Sequence, residues 1–106
     1  MDEKDLCPCG PECAIRSALD MIGGKWKLPI VCTLIADGAH RYNELLKKTR
    51  GISNTMLSQT LKEMESDGLV ERKEYLEVPV RVEYSATEKA RKLQPIMAAL
   101  IRWAQS

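Results

Sequence analysis

At 106 residues the chain is one domain by the usual length scale, with enough material for one modest core. Its 44% hydrophobic and 29% charged content is that of a soluble globular fold, and without a run of 18 apolar residues it has no candidate membrane-spanning helix. A formal net charge of +1 excludes a chain that is basic or acidic throughout, so an anionic partner has to be met by a local patch.

Residues 1–12 read as a flexible, acidic, cysteine-containing arm, and 13–106 as the folded domain. The opening MDEKD is the opposite of a signal or transit peptide, so a cytoplasmic setting with reduced thiols is expected. Gly10, Pro11 and Glu12 suit N-cap, N1 and N2 of a first helix, in which Ile15, Ala18, Leu19 and Ile22 form an apolar stripe before Gly23-Gly24 ends it. The next segment, KWKLPIVCTLIAD, is apolar almost all round. It predicts a central buried helix, with Pro29 in the first turn and Cys32 as a buried, unreactive thiol.

A short helix follows at about 42–49, with Tyr42, Leu45, Leu46 and Thr49 on one stripe. Arg50-Gly51-Ile52 is a tight turn, Ser53 caps a longer helix to about residue 66, and Asp67-Gly68 closes it. LVERKEY and VRVEYS read as two strands joined by Leu76-Glu77-Val78-Pro79, with Val80, Val82 and Tyr84 on one face of the second. A last helical region at about 87–104 carries Leu93, Ile96, Met97, Leu100, Ile101 and Ala104, and Pro95 either kinks it or starts a new helix. This order is that of a winged helix-turn-helix, a mainly α fold with a two-stranded β wing.

The helix at 53–66 has two faces. Leu57, Leu61 and Met64 are spaced for the core, while Thr55, Ser58, Gln59 and Lys62 share another face, with Asn54 beside the N-terminus. Amide side chains pair bidentately with adenine and hydroxyls donate or accept, so these five residues are candidates for base readout; a solvated helix surface is the plain alternative. Residues 41–62 set five basic side chains against Glu44 alone, whereas residues 1–20 carry five acids and two bases. Arg41, Tyr42, Lys47, Lys48, Arg50 and Ser53 are accordingly candidates for phosphate contacts, which position a protein without specifying sequence. Lys73 and Arg81 on the wing reach for phosphate or the minor groove, or else pair across the strands with Glu74 or Glu83. The only histidine, His40, reads as a surface or helix-entry residue. No nucleophile has an identifiable base and no glycine loop suits a phosphate, so no catalytic residue and no cofactor is expected.

Taken in order, ALDMIGGKWKLPIV, RYNELLKKTRGIS, MLSQTLKEMESDGLVERKEY and VPVRVEYSATEKA resemble the successive signatures of the HxlR family of bacterial winged-helix transcription regulators, over roughly residues 13–104. The resemblance implies a homodimer joined through the first helix and the C-terminal helical region, and double-stranded DNA with a pseudo-palindromic operator as partner. It also implies a recognition helix at 53–66 and a wing at 70–85. The family's wing commonly reads PPRVEYSLT; here Val80 separates Pro79 from Arg81. Ala90 replaces a usual glycine, which in a helix is harmless or mildly stabilising.

Cys7, Cys9 and Cys13 lie within DLCPCGPECAI, far from Cys32. In the family a cysteine often precedes the first helix motif by five residues, and Cys13 takes that position, with Ala14 where proline is usual. Several family members sense oxidants or electrophiles through this cysteine, a role the resemblance implies for Cys13. From the residues alone, a site near N3 of a helix favours a thiolate while Glu12 and the acidic arm oppose one. Cys7 and Cys9 are candidate resolving thiols. A thiolate tetrahedron of Cys7, Cys9, Cys13 and Cys32 is the rival arrangement, but the spacing is not a pair of C-x₂-C knuckles and no metal is predicted. Nor is there a C-x-x-C motif for an oxidoreductase. The sequence therefore predicts a sequence-specific DNA-binding regulator with a thiol switch at Cys13. Its alternative is a metal-binding or protein-interaction module on the same fold that does not read DNA.

Overall fold

The computed structural model describes residues 14–106. Its elements run α1 (Ala14–Ile22), α2 (Lys27–Asp37), β1 (His40–Arg41), α3 (Tyr42–Lys48), α4 (Asn54–Ser66), β2 (Val70–Tyr75), β3 (Arg81–Ala86), α5 (Glu88–Arg91) and α6 (Gln94–Gln105). This is the expected helical domain with a small antiparallel wing. The sheet has one more strand than expected, in the order β1-β3-β2: His40 pairs with Tyr84 and Arg41 with Glu83, while Val70 to Tyr75 run against Ala86 to Arg81. A two-residue strand is too short to show alternation, so its pairing comes from β3 rather than from its own pattern.

The core forms where α2 (Ile30, Val31, Leu34), α3 (Leu45) and α4 (Leu57, Leu61, Met64) meet Leu69, Val70, Ala86, Ala90 and Leu93. Pro29 lies in the first turn of α2, where the first helical bond, Ile30 N–H to the Trp26 carbonyl, leaves its missing donor without consequence. The expectation that α2 is buried all round, with Cys32 inside, is corrected: Pro29, Cys32 and Ala36 are exposed. At about 100° per residue, Cys32 points well away from the Ile30, Val31 and Leu34 stripe, and no described element covers that side.

The C-terminal region is two helices. Thr87 caps α5, its Oγ1 accepting from Ala90 N–H at 3.2 Å and donating to the Gly68 carbonyl at 2.6 Å, which ties the α4–β2 turn to α5. Pro95 starts the new helix, in the first turn of α6. Neither α1 nor α6 has a buried residue. Only Ile22 and Met97 of their large apolar side chains pack on the core, while Ile15, Leu19, Ile96, Leu100, Ile101 and Trp103 stay exposed.

Candidate nucleic-acid interface

Helix α4, which carries the base-readout candidates, begins at a turn. Gly51 has φ +88°, a left-handed conformation that suits glycine, and buried Ile52 then anchors the chain before α4. Ser53 is extended, and its Oγ accepts from Met56 N–H at 3.1 Å, satisfying one free donor of the helix end. Leu57, Thr60, Leu61 and Met64 are buried at i, i+3, i+4 and i+7, which fixes the rotation of α4 about its axis. In consequence Asn54, Thr55, Gln59 and Lys62 are exposed and Ser58 is half-buried on the outer face.

All five base-readout candidates line one open groove together with Tyr42. The Tyr42 hydroxyl donates to the Asn54 carbonyl at 2.8 Å and lies 3.1 Å from Asn54 Oδ1, so α3 braces the first residue of α4. Lys47 and Arg50 are exposed, and neither they nor Lys62 has a carboxylate partner among the described residues. Arg41 is exposed at the entry to α3, its backbone N–H donating to Glu44 Oε1 at 2.9 Å. That backbone hydrogen bond holds the Glu44 carboxyl below its usual range, helped by the charges of Arg41 and Lys48.

Lys48 is engaged internally. Its ammonium donates to His40 Nε2 at 2.8 Å and to Asp37 Oδ2 at 3.2 Å. His40 enters α3 as the sequence suggests, but it is not a surface residue, being 3% exposed. Its Nδ1 lies 2.6 Å from the Gly38 carbonyl, which only accepts, so Nδ1 carries the proton and Nε2 offers its lone pair to Lys48. The neutral ring thereby links the end of α2, β1 and α3. No sequence signal beyond its being the only histidine marks it.

On the wing, Lys73 is exposed with its ammonium 5.2 Å from the Tyr75 ring centroid. Arg81 is held inside the hairpin. Its guanidinium lies 4.1 Å over the Tyr75 ring, 3.3 Å from Glu77 and 3.8 Å from Glu83. The Arg81–Glu83 pair runs along β3 itself rather than across the strands, and the residue facing Arg81 across the ladder is Tyr75; Glu77 and Tyr75 are partners the sequence reading missed. The wing tip itself is apolar, with Leu76, Val78 and Val80 exposed.

Cys7, Cys9 and Cys13 lie outside the described residues, as does the proposed arm; Cys32 is exposed on α2. Among the described residues no group of three His, Cys, Asp or Glu side chains is placed to hold a metal, and no helix is long and apolar enough to cross a membrane.

Residues 21–106 match the HxlR-like helix-turn-helix family. The chain is 47% identical over 94 residues to MalR of Fusobacterium mortiferum, named a regulatory protein, which covers 89% of each chain. Its fold superposes on the redox regulator HypR in its oxidized form with a TM-score of 0.80 and 42% identity, covering 88% of this chain and 95% of that one. The reduced form of the transcriptional regulator YodB from B. subtilis gives a TM-score of 0.79 and 35% identity, over 92% of each.

Proposed function

The chain belongs to the HxlR-like helix-turn-helix family of transcriptional regulators, and we propose that it binds a pseudo-palindromic operator as a homodimer, with occupancy set by the thiol state of Cys13. The observation that carries the DNA reading is the outer face of α4. Asn54, Thr55, Ser58, Gln59 and Lys62 are gathered in one groove at a capped helix N-terminus, while the opposite face is locked in the core. A helix presented in this way suits the major groove, its N-terminal side chains meeting base edges. Lys47, Arg50 and Arg41 supply phosphate contacts from the flank, joined by Lys48 if its ammonium leaves His40, and Lys73 does so from the wing. Two such helices about one turn of DNA apart read two half-sites.

The thiol switch rests on the position of Cys13 just before α1 and on similarity to a protein named a redox regulator. An oxidant such as diamide takes two electrons and two protons from a thiol pair, leaving one S–S bond. Cys13 provides one sulfur, and Cys7 or Cys9 of the same or the second copy provides the other. Such a bond displaces α1 and, through the dimer, the separation of the two reading helices. The test is fluorescence anisotropy on DNA from upstream of the protein's own gene, against a random duplex, with reduced, diamide-treated and Cys13→Ser protein. Specific binding that responds to diamide in the wild type and not in Cys13→Ser is the expected result. Specific binding indifferent to diamide removes the switch, and no specific binding in any state removes the regulator.

A further inference from the structure

Lys27 opens α2, and its side chain, only 11% exposed, reaches partners on two other helices. It donates to the Asp20 carbonyl in α1 at 3.2 Å and lies 3.4 Å from Glu63 Oε2 of α4. The first partner is one of the carbonyls that the end of a helix leaves unbonded, where a cation also meets the negative end of the dipole. One residue earlier, Trp26 lies against the turn before α4: a Cβ on Gly51 would stand 3.7 Å from its Cη2. The α1–α2 connector and the first residue of α2 therefore meet the α4 region at two points, Trp26 at Gly51 ahead of the N-terminus and Lys27 at Glu63. Asn54 and Glu63 are nine residues apart, about 13 Å along the axis. The connector's other end is fixed to α1. Gly23 N–H donates to the Leu19 carbonyl at 2.6 Å, and a Cβ on Gly23 would collide with that same oxygen.

We infer that Lys27 is a positioning residue that carries the placement of α1 to the recognition helix α4, without touching DNA. The buried stripe of α4 fixes its rotation, which leaves tilt as its softest freedom, and a contact near each end sets tilt. Lys27 holds α1 through a backbone carbonyl, so displacement or fraying of the last turn of α1 releases it, while most side-chain changes on α1 do not. Released from Asp20, the ammonium is left with Glu63 alone and α4 loses its reference to α1. The inference deepens the thiol-switch reading and rests on it only for what moves α1; the link between the helices stands independently.

The test uses the full chain, as wild type, Lys27→Met, Lys27→Arg and Glu63→Gln, with amide hydrogen exchange and anisotropy on specific DNA before and after diamide. In Lys27→Met, exchange is expected to speed up by about tenfold or more both in the last turn of α1 and around Glu63 in α4. The diamide-induced change in affinity is expected to fall to less than about a third of the wild-type ratio, and Lys27→Arg to restore it. Glu63→Gln cuts the α4 arm alone. It is expected to lose the diamide response with α1 exchange unchanged, which a general loss of stability would not produce. Faster exchange in α1 with α4 as in the wild type overturns the inference, as does an unchanged diamide ratio in both Lys27→Met and Glu63→Gln. If diamide leaves wild-type affinity unchanged, the switch reading fails and the exchange pattern decides the link by itself.

Discussion

Gln59 stands on the outer face of α4, one turn beyond Thr55, and its amide has no hydrogen-bond partner among the described residues. A side chain that packs nothing and pairs nothing in the free protein is one whose removal shows up on DNA alone. Gln59→Ala is expected to weaken specific binding by about 1–3 kcal/mol and leave random-duplex binding nearly unchanged. Lys47→Ala is expected to weaken both equally and lower the slope of log affinity against log salt by about 1. Anisotropy titrations across a salt series separate the two patterns, and an equal loss on both duplexes for Gln59→Ala would take it off the base-reading face. Glu44 makes a prediction in pH. Its carboxyl is held low chiefly by the Arg41 backbone hydrogen bond, so its stabilisation is fully present above the ordinary carboxylate range and lost as pH falls through the lowered folded value. Glu44→Gln cannot ionise. The Tm gap between wild type and variant is expected to be constant near neutrality and to close in acid; a gap that persists below the carboxylate range would contradict the assignment.

Among the elements, α4 shows how core packing aims an outer face. Leu61 is 2% exposed and lies one turn from Leu57 and close to Met64, both fully buried. Leu61→Ala is expected to destabilise the fold by about 2–5 kcal/mol, seen as a shift of the urea midpoint. Gly51→Ala places a side chain at φ +88° and is expected to lose about 1–2 kcal/mol, since the strain is local and the space beside Trp26 is ordinary contact. If Gly51→Ala matched or exceeded Leu61→Ala, the turn rather than the core would be holding α4. The α4 stripe was legible because both its faces obey one helical period, and its boundaries were legible because Ser53 and Gly68 punctuate them. Strand β1 was not, since two residues carry no period. The face of α2 with Cys32 was misread because an apolar pattern shows that a surface avoids water without saying which partner covers it. Nor does sequence name the partner of a cation. Lys48 and Arg81 looked like DNA-facing charges, and only three-dimensional proximity reveals His40 beside one and Tyr75 with Glu77 beside the other.

For the molecule as a whole, the unsolved surface lies on its terminal helices. Leu19 on α1 and Ile96, Ile101 and Trp103 on α6 are each more than half exposed, with Ile15 and Leu100 close behind at 40% and 49%. Monomers rarely leave so many large apolar side chains in water, and covering each fully is worth about 1.5–3 kcal/mol. A second copy related by a two-fold axis brings an identical apolar surface and keeps two α4 helices available for two half-sites. Leu100→Glu tests this without opening the core, because Leu100 is exposed in the single chain and absent from its core cluster. The variant is expected to keep its helical circular dichroism and Tm measured at low concentration, while sedimentation velocity shows a monomer. On a full operator its affinity is expected to drop by about a hundredfold or more, because binding at one half-site no longer raises the local concentration at the other. On an isolated half-site it is expected to match the wild type, since the groove from Asn54 to Lys62 is untouched. A Leu100→Glu protein that still sediments as a dimer would remove this face of α6 from the interface. Equal losses on the full operator and the half-site would mean that α6 acts through the fold of the reading helix rather than through pairing.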